Sequence, residues 1–230
     1  MAAEHHHRNL QGGGARAAVF GVSDGLVSNV ALILGMAGAN SSPGAVRLAG
    51  LAGLIGGAFS MAAGEYVSMR AQSELMQREL DIEREAIHHD PEIEQKELAA
   101  IYESRGLDSG LASELSAKMM RDPELALETH AREELGINPG QTGDPWQAAA
   151  SSFVTFALGA FVPLLPWLIV SGTSATLWSV VLGAVGAFSV GAALAHFTGR
   201  WWLWSASRQL LISAVAAGIT YSIGHLVGSS

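Results

Sequence analysis

The sequence predicts an all-α membrane protein: a five-span transmembrane helical bundle with an acidic three-helix domain inserted between spans 2 and 3. Two observations carry this. Five segments each hold the roughly 20 mostly apolar residues that a bilayer crossing needs. The charge is confined to the middle of the chain. Of 21 Asp and Glu, 18 fall between Glu65 and Glu134, together with 8 of the 13 Lys and Arg. That stretch is net −10 with His neutral, and the rest of the chain is net +2. Only 15% of the residues are charged, against about 25% in soluble domains. The flanks therefore read as lipid-facing and the middle as water-facing.

The elements follow in order. Residues 1–15 form a polar N-terminal segment with Glu4, His5, His6, His7 and Arg8 and no cleavable-signal pattern. The His run reads as native and solvated. Residues 16–70 hold spans 1 and 2. The first covers 17–39, with Asp24 as its one ionisable residue, and the second covers 46–69 and contains Glu65. Asn40-Ser41-Ser42-Pro43-Gly44 between them is a turn cluster. After Met69 the character changes without a breaker. Residues 71–89 are rich in Glu, Gln, Arg, Leu and Ala, all good helix formers. One long helix leaving the membrane for water is the simplest reading.

Asp90-Pro91 ends that helix, and Pro91 suits the first turn of the next, which runs to Ser104. Another helix is expected over 109–121. Asp122-Pro123 opens a short one ending near Leu135-Gly136. Residues 71–137 thus form an acidic helical domain, and 138–145 a Pro/Gly-rich linker. Residues 146–228 hold spans 3 to 5, at 146–170 (with Pro163 and Pro166 inside), 177–197 and 203–227. Their apolar residues go all round the helix, as expected in lipid or deep in a bundle.

Five spans put the termini on opposite sides. With the N-terminus inside, Arg8, Arg16, the bases of the acidic domain, Arg200 and Arg208 lie at the cytoplasmic face, and only Arg47 lies outside. The acidic domain is then cytoplasmic. Trp201, Trp202 and Trp204 fit an interfacial aromatic belt. Gly53, Gly56, Gly57, Ser60 and Gly64 in span 2, and Gly183, Gly186 and Gly191 in span 4, read as close helix packing. The absence of cysteine excludes disulfides, thiolate metal sites and Cys nucleophiles. No basic patch with interleaved aromatics is present, so nucleic acid is not an expected partner.

The chemistry rests on a few residues. A carboxylate inside a span costs at least a few kcal/mol, so Asp24 is expected to face a cavity, a partner or an ion. Met61 and Glu65, four apart, share one face of span 2. Glu65 offers a hard oxygen and a site for a proton. The Met61 thioether suits a transition metal better than Ca²⁺ or Mg²⁺. In the acidic domain Glu79 and Glu83, Glu94 and Glu97, and His130 and Glu134 each place two ligands on one helix face. Oxygen-rich sites with some nitrogen suit Fe²⁺, Mn²⁺ or Zn²⁺; solvated Glu faces are the alternative. Glu85-Ala86-Ile87-His88 has the Glu-x-x-His spacing of di-iron bundles, but only one copy exists. An enzyme is therefore not expected.

The chain resembles the vacuolar iron transporter family. The matching stretches are Arg16 through Asn29 (RAAVFGVSDGLVSN), Ser60 through Ser68 (SMAAGEYVS), Glu97 through Leu107 (ELAAIYESRGL), and Glu133 through Ile137 followed by Asn138-Pro139. The resemblance covers nearly the whole chain. It implies a homodimer with a pore between the first spans, exporting Fe²⁺ from the cytoplasm by proton antiport. Mn²⁺, Zn²⁺ or Co²⁺ are alternative substrates, and no prosthetic group is implied. A metal-binding channel or sensor is the alternative function.

In the family Asp24, Met61 and Glu65 match path-lining positions, and Glu83, Glu94, Glu97 and Glu134 match glutamates of a cytoplasmic metal-binding domain. Two positions depart. His130 and Ala131 stand where plant members carry paired Met, and Ala86 stands where a second glutamate follows Glu83; Glu79 is the candidate substitute. A ferritin-like domain before span 1, found in some bacterial relatives, is not expected from residues 1–15. The resemblance further implies a bacterial plasma membrane, or a vacuolar-type membrane in a eukaryote.

Overall fold

The computed structural model describes residues 13–136, 138 and 143–229. The His5–His7 run and most of the linker lie outside them. The described residues form eight helices and no strand: α1 (Gly13–Gly38), α2 (Pro43–His89), α3 (Pro91–Ser104), α4 (Ser109–Met119), α5 (Pro123–Glu133), α6 (Pro145–Ile169), α7 (Thr173–Thr198) and α8 (Trp202–Gly228). Five of them, α1, α2, α6, α7 and α8, are long and apolar enough to cross a membrane. The chain divides into two compact units, residues 1–67 with 144–230, and residues 68–143. The 47-residue α2 contributes to both.

Local chemistry sets the helix ends. Asn40, at φ 52°, turns the chain after α1. The Ser42 hydroxyl accepts from the Ala45 N–H, and Pro43 opens α2. No breaker separates Met69 from the charged run that follows, and α2 continues unbroken to His89. Span 3 begins at Pro145 because the Asp144 carboxylate accepts from the Trp146 N–H at 2.9 Å. α7 begins at Thr173, four residues before the expected 177, just after Gly172 at φ 67°. It ends at Gly199 in the left-handed region. Hydropathy registers apolar content, whereas these ends are decided by caps and glycines. α4 likewise stops at Met119 and α5 at Glu133, each a little short of its expected end.

In the first unit α1 is central, packed against α6, α8 and α7. Leu26, Val30 and Leu34 of α1 meet Ala187 and Ala217 in one cluster, and Ile33, Val46, Leu164 and Trp167 form a second. Small residues permit the close approach. A side chain at Gly25 would run into the α6 backbone at Phe156, and one at Gly159 into the α1 backbone at Val22. The predicted small-residue sites divide in two. Gly53, Gly57, Gly183, Gly186 and Gly191 each abut a neighbouring helix, while Gly56 and Gly64 face open space. Trp201, Trp202 and Trp204 are exposed at the start of α8.

The second unit packs Leu80 of α2 against Leu127 and Ala131 of α5, flanked by Met76 and Ile87. α3 packs on α4 and α5. Asp108 and Asp122 cap α4 and α5 through the N–H groups of Gly110 and Glu124. An Arg105–Glu133 ion pair, with a second guanidinium bond to the Glu133 carbonyl, ties the end of α3 to the end of α5.

Candidate metal centre and membrane cavity

Three segments distant in sequence meet inside the second unit. Glu83 comes from α2, Glu94 from the first turn of α3, His130 from α5, and Glu134 from the residue that ends α5. One ligand atom from each lies within 4.8 Å of the others. His130 Nδ1 is 2.9 Å from Glu83 Oε1, 3.4 Å from Glu134 Oε2 and 3.7 Å from Glu94 Oε2. His130 is fully buried, Glu83 and Glu94 are buried, and Glu134 stands at the mouth. Among the described residues, Glu83 Oε1 is close to the imidazole but has no aligned hydrogen bond, and His130 Nε2 has no partner either.

Burying two carboxylates beside one imidazole, with a third at the mouth, is costly unless charge is compensated. The acids show the strain. Burial pushes the Glu83 carboxyl above its ordinary value, and the charge of Glu134 adds to it while His130 opposes. Burial also raises Glu94, with Glu97 adding and His130 again opposing. A divalent cation would relieve both effects, and three oxygens with one nitrogen fit Fe²⁺, Mn²⁺ or Zn²⁺.

Two expected ligands stand outside this group of four. Glu97, one turn after Glu94, is exposed and acts on the centre through its charge. Glu79, one turn before Glu83, is half-buried. Glu85 and His88 are both exposed and do not join the cluster.

The raised acids set a pH dependence. The metal-free folded unit holds protons that the unfolded chain releases, so this contribution to stability is complete below the ordinary carboxylate value of 4.5. It is lost as pH rises through the higher folded values. With chelator present, the thermal midpoint of this unit is expected to rise as the pH is lowered from 7 toward 4.5. Glu83→Gln, a neutral near-isostere, is expected to raise the midpoint at pH 7 and flatten the profile. Thermal unfolding of both proteins across that range checks this, and a Gln variant less stable than wild type at pH 7 would contradict it.

The membrane unit holds a cavity of about 350 Å³ between α1, α2 and α6. Asp24, Ser28 and Asn29 of α1 line it, facing Ser60 and Met61 of α2, with Phe156 of α6 at one wall. Two of the three span residues singled out in the sequence, Asp24 and Met61, therefore share one space. Asp24 is exposed there. Glu65, one turn beyond Met61, is half-buried and is not part of the lining.

Asn29 escaped the sequence reading. It is 2% exposed, and its Nδ2 donates to the Ala160 carbonyl of α6 at 2.6 Å. Among the described residues its Oδ1 has no hydrogen-bond partner, an omission that costs about 1–3 kcal/mol for a buried polar group. An amide five residues from Asp24 in an otherwise apolar span was the available signal.

The VIT family model matches residues 15–225 of this chain. Vacuolar iron transporter 1 of Arabidopsis thaliana is 34% identical over 213 residues, covering 91% of this chain and 84% of that protein. The vacuolar iron transporter of Acanthamoeba castellanii is 35% identical, covering 96% of this chain and 82% of that protein. Vacuolar iron transporter 1 of Oryza sativa subsp. japonica is 32% identical, covering 97% and 90%.

Proposed function

The chain belongs to the VIT family, and from that premise we propose that this multi-pass membrane protein transports Fe²⁺ out of the cytoplasm in exchange for protons. The observation that carries the proposal is the meeting of Asp24 and Met61 in one cavity among apolar helices. An intramembrane carboxylate beside a thioether offers a cation both charge and softness. The names of the relatives, all vacuolar iron transporters, support iron as the metal. Mn²⁺ is a second candidate substrate, since the same ligand types accept it.

In this reading the acidic unit is cytoplasmic and gathers the metal at Glu83, Glu94, His130 and Glu134, with Glu97 and Glu79 adding negative potential. The ion then passes to Asp24, Met61 and Glu65. Protons from the far side neutralise the carboxylates, remove their attraction for the cation and release it. The protein works as a homodimer, with the first spans of two copies enclosing the path. The open glycine positions Gly56 and Gly64 on α2 leave room for a second copy.

The test is Fe²⁺ flux into proteoliposomes with and without an inward-acidic pH gradient. Gradient-driven flux is the expected result. Flux indifferent to the gradient would make the protein a channel, and metal binding without flux would make it a sensor or store.

A further inference from the structure

We propose that Asn29 is a specificity-determining ligand of the transported cation, its side-chain carbonyl oxygen completing the cavity that Asp24 and Met61 line. The inference rests on the transport reading above and names a residue which that reading does not use.

The orientation of the amide is settled by its neighbour. Nδ2 donates to the Ala160 carbonyl at 2.6 Å. A flipped amide would set two carbonyl oxygens against each other, so Oδ1 must face the other way. On that side stands Gly53 of α2, where a Cβ would come within 2.9 Å of Oδ1 and 2.6 Å of Leu32 Cδ2. Gly53 and Leu32 both belong to the cavity wall.

Among the described residues, no side chain supplies the missing donor. The Ser28 hydroxyl is directed to the Asp24 carbonyl of its own helix, at 2.6 Å. Oδ1 is thus a buried acceptor, held in place by a bond to α6, beside a cavity that also offers a carboxylate and a thioether. Glycine at position 53 keeps the approach clear.

The chemistry suits a cation that has shed part of its water. A carbonyl oxygen is a neutral hard ligand and Met61 a soft one, a mixture that favours borderline transition metals over Ca²⁺ or Mg²⁺. Asn29 does not titrate. It therefore holds the ion by an interaction that protonation leaves unchanged, while the carboxylates supply the part that a proton can remove.

The experiment is proteoliposome uptake of Fe²⁺ under anoxic, reducing conditions, and of Mn²⁺, for wild type, Asn29→Leu and Asn29→Asp. Leu removes both the oxygen and the bond to Ala160, whereas Asp keeps the oxygen toward Gly53 and replaces the N–H donor with a second, ionisable oxygen that faces the Ala160 carbonyl. The ligand role requires the apparent KM for Fe²⁺ to rise on the order of tenfold in the Leu variant, the loss expected for one ion–dipole contact. It requires the Asp variant to keep a wild-type or lower KM and to alter the pH profile that the wild-type carboxylates already set, because the new ligand titrates too. It also requires the Fe²⁺ to Mn²⁺ ratio to move in the Leu variant.

If Asn29 only braces α1 against α6, both variants lose thermal stability and maximal rate alike, with KM and the metal ratio unchanged. That result overturns the proposal. Should Asn29→Leu not fold, the Asp variant decides alone: a raised KM with an unaltered pH profile overturns the proposal. Absence of flux in wild type would instead overturn the transport reading itself.

Discussion

Asp24→Ala is expected to reduce Fe²⁺ flux by about 100-fold or more, the scale of removing one partner of a close charge pair, while the protein stays folded. Asp24 lines the cavity of about 350 Å³ and, among the described residues, is its one acidic side chain. Without it the cation meets only hydroxyls, an amide and a thioether. None of these offsets the cost of leaving water.

Folding should survive the change. The local bond at this position runs from the Ser28 hydroxyl to the Asp24 backbone carbonyl, which Ala retains. Removing a carboxylate from an apolar span also lifts an insertion cost of about 2.5–3.5 kcal/mol. Asp24→Asn serves as the isosteric control, keeping the volume and losing the charge, and is expected to behave like Ala. The readout is initial uptake rate at matched protein incorporation, beside thermal unfolding in detergent. Wild-type flux in both variants would remove Asp24 from the pathway and with it the cavity as the route.

The second large effect is expected at His130. His130→Ala should weaken Fe²⁺ binding by the acidic unit by about 100-fold, as loss of a ligand or its fixed partner does at metal sites. The imidazole is fully buried and stands within 3.7 Å of three carboxylates. Removing it leaves Glu83, Glu94 and Glu134 facing one another across a cavity. The metal-free unit should lose about 2–4 kcal/mol, from the void and from the unpaired buried oxygens. Bound metal would recover part of this by bridging the carboxylates.

Equilibrium titration with Fe²⁺, and unfolding with and without the metal, measure both parts. Glu97→Ala and Glu79→Ala should change affinity much less, because neither belongs to the group of four. Unchanged affinity in His130→Ala would show that the cluster is not the binding site.

The sequence was most readable where the cause is local. The turn at Asn40 to Pro43, the start of α3 at Pro91 and the capped start of α5 at Asp122-Pro123 each follow from a few adjacent residues. Three expected ends moved by a few residues, at Thr173, Met119 and Glu133, because apolar content does not specify where a glycine or a cap ends the helix. The packing glycines illustrate the limit. Gly57 and Gly56 are adjacent and chemically identical, yet one abuts Phe156 and the other faces open space. Which of the two is in contact depends on the rotation of α2 about its axis.

By itself the sequence determined the five apolar helices, the charged insertion and the pool of metal-binding side chains, because hydropathy, charge and helix breakers are properties of short stretches. Only the tertiary structure decided which side chains converge. Residues three or four apart share a helix face, but a metal centre is a point, and a face has many residues that miss it. Glu83, Glu94, His130 and Glu134 meet there, while Glu79 and Glu97, on the same faces, fall one turn to the side. The same holds in the membrane unit. Asp24 and Met61 were marked by their residue types, but Asn29 became a candidate only when Ala160 was found to take its N–H and leave its oxygen without a partner.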